Sequence, residues 1–165
     1  MGNSERWSVH MLGGEAPMNI EAICSRIVVV ALPATSVHEG ARLLREHHVG
    51  ALVVIDSRQN SRPLGIVTDR DMVVEVLAMG IDPSKLAVGD LMTGNIVAVN
   101  ASEGVLETIK LMQSEGVRRV VVVDNAGALV GIVSFNDLVP YVSEALAGLS
   151  SAIIGAQGRE RELRT

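Results

Sequence analysis

The chain repeats itself, and that fact limits the possible folds more than any other. The segment Val49-Gly-Ala-Leu-Val-Val-Ile-Asp56 returns 68 residues later as Val117-Arg-Arg-Val-Val-Val-Val-Asp124. The offset holds upstream without a gap: Val37 falls on Val105, Glu39 on Glu107, Leu43 on Leu111, and Val28-Val29 on Ile96-Val97. Downstream, Gly65-Ile66-Val67 meets Gly131-Ile132-Val133 at an offset of 66. The slip of two is absorbed by a longer turn, Ser57 to Pro63, against the tight Asn125-Ala126-Gly127, as loops allow. Two copies kept in register over some fifty residues imply two similar folding units.

Each copy reads as strand, helix, strand, strand, helix. Val28–Val30 and Ile96–Val99 are short β-branched runs. Val37, Ala41 and Leu44 share one helical face, as do Val105, Ile109 and Met112. Thr35 and Ser36 offer N-caps to the first of these helices, and Ser102 before Glu103 to the second. Gly116 suits a C-cap, with His48 in its place in the first copy. Leu52–Ile55 and Val120–Val123 are wholly apolar strands ending at Asp56 and Asp124. Gly65–Val67 and Gly131–Val133 are the next strands, followed by helices opening at Asp69 and Phe135. Ile20–Cys24 and Val88–Met92 are lead-ins to their own copies, and Asp82-Pro83 breaks the chain between them. After Pro140 the chain reads helical again, with Val142, Leu146, Leu149 and Ile153 on one face.

Composition narrows the function. Hydrophobic residues make up 48 % of the 165 and aromatics only 2 %, so the core is aliphatic. A net charge of −5 argues against broad attraction to nucleic acid or anionic membrane. The single Cys24 suits a reducing compartment. No uninterrupted apolar run approaches the roughly 20 residues of a membrane span. The start has neither a basic leader nor an apolar stretch. The expectation is a soluble, cytoplasmic protein.

The chemistry concentrates in Gly65-Ile-Val-Thr-Asp-Arg-Asp71 and its partner Gly131-Ile-Val-Ser-Phe-Asn-Asp137. Each puts a hydroxyl, Thr68 or Ser134, where a strand ends and a helix begins. Each adds a carboxylate, Asp71 or Asp137, in the first helical turn. A helix N-terminus offers free N–H groups and a positive dipole end to phosphate, and a carboxylate there can accept from a ribose diol. The plainer account makes these residues helix caps answering the dipole; their appearance twice favours binding.

With these residues the chain resembles a tandem pair of CBS domains, the family named for cystathionine β-synthase, over roughly Ile20 to Ala147. The resemblance implies an α+β fold of two βαββα repeats packed as a pseudo-two-fold pair, with clefts for adenosine compounds. On that likeness Asp71 and Asp137 would hold ribose, and Thr68 and Ser134 would approach ribose or phosphate. Val28–Val30, with Val29 and Val30, and Ile96, Val97 and Ala98 would flank adenine. Arg118 and Arg119 stand where related pairs often carry basic residues that grip phosphate. The first copy departs here, with Gly50-Ala51, and Phe135 stands in place of Asp69, so equivalent sites are not expected.

Other chemistry lacks its residues. His47-His48 are neighbours on a helix end with no carboxylate or Cys at ligand spacing. No phosphate loop, nucleophile elbow or His-Glu-x-x-His occurs. Met72, Met79, Met92 and Met112, with Met11 and Met18, form no stripe and read as core filler. The expected layout is a flexible tail with Trp7 over 1–19, repeats over 20–81 and 82–147, and a helical, then polar extension over 148–165. The expected function is regulatory, without catalysis, metal or required cofactor. Its ligand would be an adenosine compound (AMP, ADP, ATP, NAD or S-adenosylmethionine), read out through a homodimer or a protein partner. The competing expectations are a structural interaction module with empty clefts and an accessory subunit of a separate enzyme.

Overall fold

The computed structural model describes residues 19–59, 61–92 and 96–162. Trp7, Met11, Met18 and the expected N-terminal tail up to residue 18 lie outside them. Two three-stranded sheets stand back to back. In the first, β1 (Val30–Ala31) runs parallel to β2 (Ala51–Asp56), which pairs antiparallel with β3 (Arg62–Thr68). In the second, β4 (Ala98–Asn100), β5 (Arg119–Val123) and β6 (Leu129–Ser134) repeat that order. Both antiparallel ladders shift register at matching places, Val54/Ile55 and Val122/Val123.

Side-chain alternation explains why the central strands lack any polar face. Leu52 and Val54 point to the helices α1 (Val37–His47) and the segment after β3. Val53 and Ile55 point the other way, onto Val121 of the opposing sheet. Val120 and Val122 in turn face α4 (Val105–Glu115). A strand buried on both faces must be apolar throughout.

The outer strands begin later than their apolar runs. Pairing starts where Val53 N–H donates to Val29 O and Val121 N–H to Val97 O (3.0 and 3.1 Å). Val28 and Ile96 pack instead between the sheets. Ser36 caps α1 by accepting from Glu39 N–H, whereas Thr35 Oγ1 accepts from Leu32 N–H. Ser102 caps nothing: its Oγ and N–H both donate to Asn100 Oδ1 (2.7 and 3.0 Å), so α4 starts after Gly104 without a side-chain cap. Gly116 and His48 end their helices in the left-handed conformation, φ 66° and 53°.

The lead-ins are exchanged, which the sequence order does not suggest. The 3-10 turn Ile20–Ala22 packs on the second repeat, with Ile20 among Val99, Val105, Met112 and Val120. The short helix α3 (Val88–Leu91) packs on the first, with Val88 among Val37, Leu44 and Leu52. The isolated bridges Asn19↔Gly104 and Ser36↔Ala87 are the two halves of this swap. It also gives the motif glycines a purpose. A Cβ on Gly131 would lie 2.7 Å from Cys24 Sγ and from Ser25 O, and one on Gly65 2.9 Å from Met92 Cβ. Each glycine lets the other repeat's lead-in lie flat on the sheet.

After β3 the chain makes one α-turn, α2 (Asp69–Asp71), and then a π-helical stretch, Met72–Leu77. After β6 it forms α5 (Phe135–Glu162), which runs unbroken through Pro140. Pro140 stands in the second turn, where it removes only the bond to the Asn136 carbonyl. Leu138 is 3 % exposed and anchors the helix to the second core. Although no uninterrupted apolar run is long enough, the 23-residue stretch Phe135–Gln157 holds an 18-residue window with a mean hydropathy of 1.4, long and apolar enough to cross a membrane by those measures. Only 6 % of that window is buried against the chain. Along it, Val139, Leu146, Leu149 and Ile153 are each about 60 % exposed.

Candidate functional site

The pseudo-two-fold packing makes two clefts, each built from both repeats. The first repeat gives the first cleft Ile66, Thr68, Arg70 and Asp71; the second gives Ile96, Val97, Val117, Arg118 and Arg119. The second cleft exchanges the roles. It takes Ile132, Ser134, Asn136 and Asp137 from β6 and α5, and Val28, Val29, Val49, Gly50 and Ala51 from the first repeat. Their volumes are about 250 and 350 Å³.

The end of each third strand positions the polar groups. Ala51 pairs with Thr68 and Arg119 with Ser134, so the start of the central strand lies beside the hydroxyl that ends its neighbour. Thr68 N–H and Thr68 Oγ1 donate to Asp71 Oδ2 at 2.8 and 2.7 Å, and Asp71 N–H donates back to Thr68 Oγ1 at 3.2 Å. Ser134 N–H and Oγ donate to Asp137 Oδ2, both at 2.7 Å. Asp71 therefore closes a reciprocal cap with Thr68 and Asp137 a one-way cap on Ser134, as the plainer sequence account holds. Among the described residues no donor engages Oδ1 of either aspartate, which leaves that oxygen for a further partner. Capping and ligand binding are thus compatible in one side chain.

Apolar and cationic groups complete the clefts unequally. Ile96 and Val97 form an apolar wall in the first, and Val28 and Val29 its counterpart in the second. Around the first stand three guanidinium groups, Arg70, Arg118 and Arg119, with Asp71. Around the second stand Arg119 and His48, with Asp137. The adjacent arginines divide between loop and strand. Arg118 is exposed in the bend before β5, and only Arg119, half-buried, begins the strand. Arg119 reaches over Gly50, where its Nη2 lies 3.2 Å from the point a Cβ would occupy.

Nine of the expected residues thus line a cleft: Thr68, Asp71, Ile96, Val97, Arg118 and Arg119 the first, Val29, Ser134 and Asp137 the second, where Arg119 recurs. Val30 and Ala98 line neither. Both have already entered their strands, where Val30 pairs with Val53 and Ala98 with Val121, and Ala98 packs between the sheets. The sequence reading missed Arg70, Asn136, Val49, Val117 and His48. Arg70 and Asn136 lie inside the two motifs, and Val49 and Val117 are aligned by the same offset of 68, so the signal was present. His48 enters because its left-handed cap turns the chain into the cleft. Among the described residues no group of three or more His, Cys, Asp and Glu is placed to hold a metal ion.

The family model described as CBS domain matches twice, over residues 20–78 and 88–144. An uncharacterized protein of Methanopyrus kandleri is 32 % identical over 128 residues, 76 % of this chain and 64 % of that protein, so the match spans just under two thirds of the relative's length. Hypoxic response protein 1 of Mycobacterium tuberculosis is 36 % identical over 104 residues, 63 % of this chain and 71 % of the relative. The crystal structure of Hypoxic Response Protein I with two coordinated zinc ions superposes with a TM-score of 0.65 at 30 % identity, covering 74 % of this chain and 98 % of that one. A CBS domain protein from Pyrobaculum aerophilum complexed with AMP superposes with a TM-score of 0.67 at 26 % identity, covering 73 % and 90 %.

Proposed function

The chain belongs to the CBS domain family, and we propose that it is a regulatory module that binds an adenosine nucleotide between its repeats and performs no catalysis. The observation that carries this is the doubled constellation of apolar wall, hydroxyl and half-committed carboxylate, with cations massed on the first cleft. In this reading adenine lies against Ile96 and Val97 in the first cleft, or Val28 and Val29 in the second. Asp71 or Asp137 accepts from the ribose through Oδ1. Thr68 or Ser134 stands at the ribose or phosphate, and Arg118 and Arg119 take the phosphate as charge-assisted donors. The AMP bound by the Pyrobaculum relative supports the ligand class. The cleft volumes sit near the lower edge of the roughly 300–1,000 Å³ usual for ligand sites, which favours a mononucleotide over NAD.

The output passes through a homodimer in this reading, in a cytoplasmic setting. Val73, Val74 and Leu77 are exposed on the π-helical stretch. Along α5, Phe135, Val139, Val142, Leu146, Leu149 and Ile153 follow one another at alternating steps of four and three residues. A mean step of about 3.5 residues is the spacing of a two-helix seam, and one-sidedness distinguishes it from a helix that faces lipid all round.

The test is a melting scan by calorimetry with AMP, ADP, ATP, NAD, S-adenosylmethionine and adenosine. A ligand at about 100 times its dissociation constant adds roughly 2.7 kcal/mol, a rise of several degrees. An unmoved midpoint with all six, together with no adenosine compound released from the purified protein, would leave the empty interaction module as the better account.

A further inference from the structure

We propose that Arg119 is shared between the two clefts, so that a phosphorylated ligand in the first takes the guanidinium away from the second. This rests on the nucleotide reading above and adds the residue that decides which cleft takes phosphate.

Arg119 lines both cavities. It belongs to the second repeat, yet it reaches over Gly50 of the first, its Nη2 3.2 Å from the point a Cβ would occupy there. Asp69 Oδ2 approaches the same point, 3.6 Å from it, so a carboxylate of the first repeat stands near the guanidinium between the clefts. The pseudo-symmetric position is Ala51, which has nothing to offer in return. The arrangement is therefore a single cation serving two sites, not a matched pair.

The competition is uneven. The first cleft adds Arg70 and Arg118 to Arg119, whereas His48 is the only other basic residue among the described residues lining the second. A phosphate recruits guanidinium groups through directional, charge-assisted bonds. A phosphate in the first cleft thus gains a third arginine, and the second cleft is left to hold its ligand by Asp137, Ser134 and the apolar wall. Linkage makes the effect reciprocal for ligands that both carry phosphate. Adenosine makes no demand on Arg119 and fills the clefts without this coupling.

Calorimetric titration of AMP and of adenosine into the full chain tests the proposal, with Arg119→Ala and Asp71→Ala singly and combined. A shared arginine predicts that Arg119→Ala weakens the first AMP step tenfold or more and leaves the second unchanged. It also predicts that, once Asp71→Ala has crippled the first cleft, adding Arg119→Ala now weakens AMP binding in the second. Adenosine binding is unaffected by Arg119→Ala throughout. Arg119→Lys, which keeps charge and loses the fork, retains part of the first step and serves if the alanine variant misfolds. Weakening of both AMP steps by Arg119→Ala, or of neither, overturns the sharing while leaving nucleotide binding intact. Absence of binding by both AMP and adenosine overturns the nucleotide reading and this inference with it.

Discussion

The backbone N–H of Ile20 donates to the carbonyl of Glu103 at 2.8 Å, so the residue that opens the first repeat is fastened to the second. Ile20 is fully buried there, against Val99, Val105, Met112 and Val120. Ile20→Ala is expected to cost about 2–5 kcal/mol. Because Val53 and Val121 join the two cores, urea unfolding should remain one transition with a lower midpoint. Two separated transitions would show that the repeats unfold independently and that the exchanged lead-ins do not bind them together.

Gly131→Ala tests the same exchange from the other side. The new methyl would meet Cys24 Sγ and the Ser25 carbonyl at 2.7 Å, and backbone cannot yield as a side-chain tip can. A loss of about 1–3 kcal/mol is expected. Burial pushes the Cys24 thiol up from its ordinary value, with Arg26 partly offsetting it. In the parent protein Cys24 should therefore alkylate slowly near pH 8, and faster in Gly131→Ala as the lead-in lifts. Equal rates in the two proteins would mean that the segment stays seated.

Asp71→Ala and Asp137→Ala each remove a cap as well as the candidate ribose acceptor. Without ligand, each should lower stability by about 0.5–2 kcal/mol, since Thr68 or Ser134 loses its carboxylate partner. Each should also weaken one adenosine site by roughly 1.5–3 kcal/mol. Calorimetry separates the effects: loss of stability with unchanged affinity would leave these aspartates as caps alone.

His48 holds a left-handed conformation, φ 53°, that Gly116 supplies in the second copy. His48→Gly should stabilise the fold by up to about 1 kcal/mol, the cost of that conformation in a residue bearing a Cβ. Gly116→Ala should destabilise by a similar amount. A thermal melt of both variants checks the pair of opposite signs.

Light scattering on the full chain should give twice the 17.5 kDa of one chain. The double variant Leu149→Glu, Ile153→Glu places charges on the exposed seam of α5 and should yield monomers if that seam is the contact. A chain ending at Ala147 should then be monomeric as well. Dimers that survive both changes would place the contact on the helices following Asp71 and Asp137, where Val73 and Leu77 are exposed. A full-length mass of one chain removes the dimer altogether.

Much of this protein is determined by local pattern. The offset linking Val49–Asp56 to Val117–Asp124, and the wholly apolar Leu52–Ile55 and Val120–Val123, already require two like units with strands buried on both faces. Thr68–Asp71 and Ser134–Asp137 close their hydrogen bonds within three residues, so spacing alone sets them. The tertiary structure decided what depends on distant segments meeting. Ile20 and Val88 each support the other repeat's core, because the pseudo-two-fold packing brings a lead-in nearer to its neighbour's sheet than to its own. Val30 and Ala98 leave the clefts because they are the residues at which the outer strands join the ladder, two positions after the apolar runs begin at Val28 and Ile96. Arg119 stands between two cavities and reaches over Gly50, 69 positions earlier in the chain, its Nη2 3.2 Å from where a Cβ would lie. No local periodicity encodes such a contact; it exists when two sheets pack at one angle and bring those residues together.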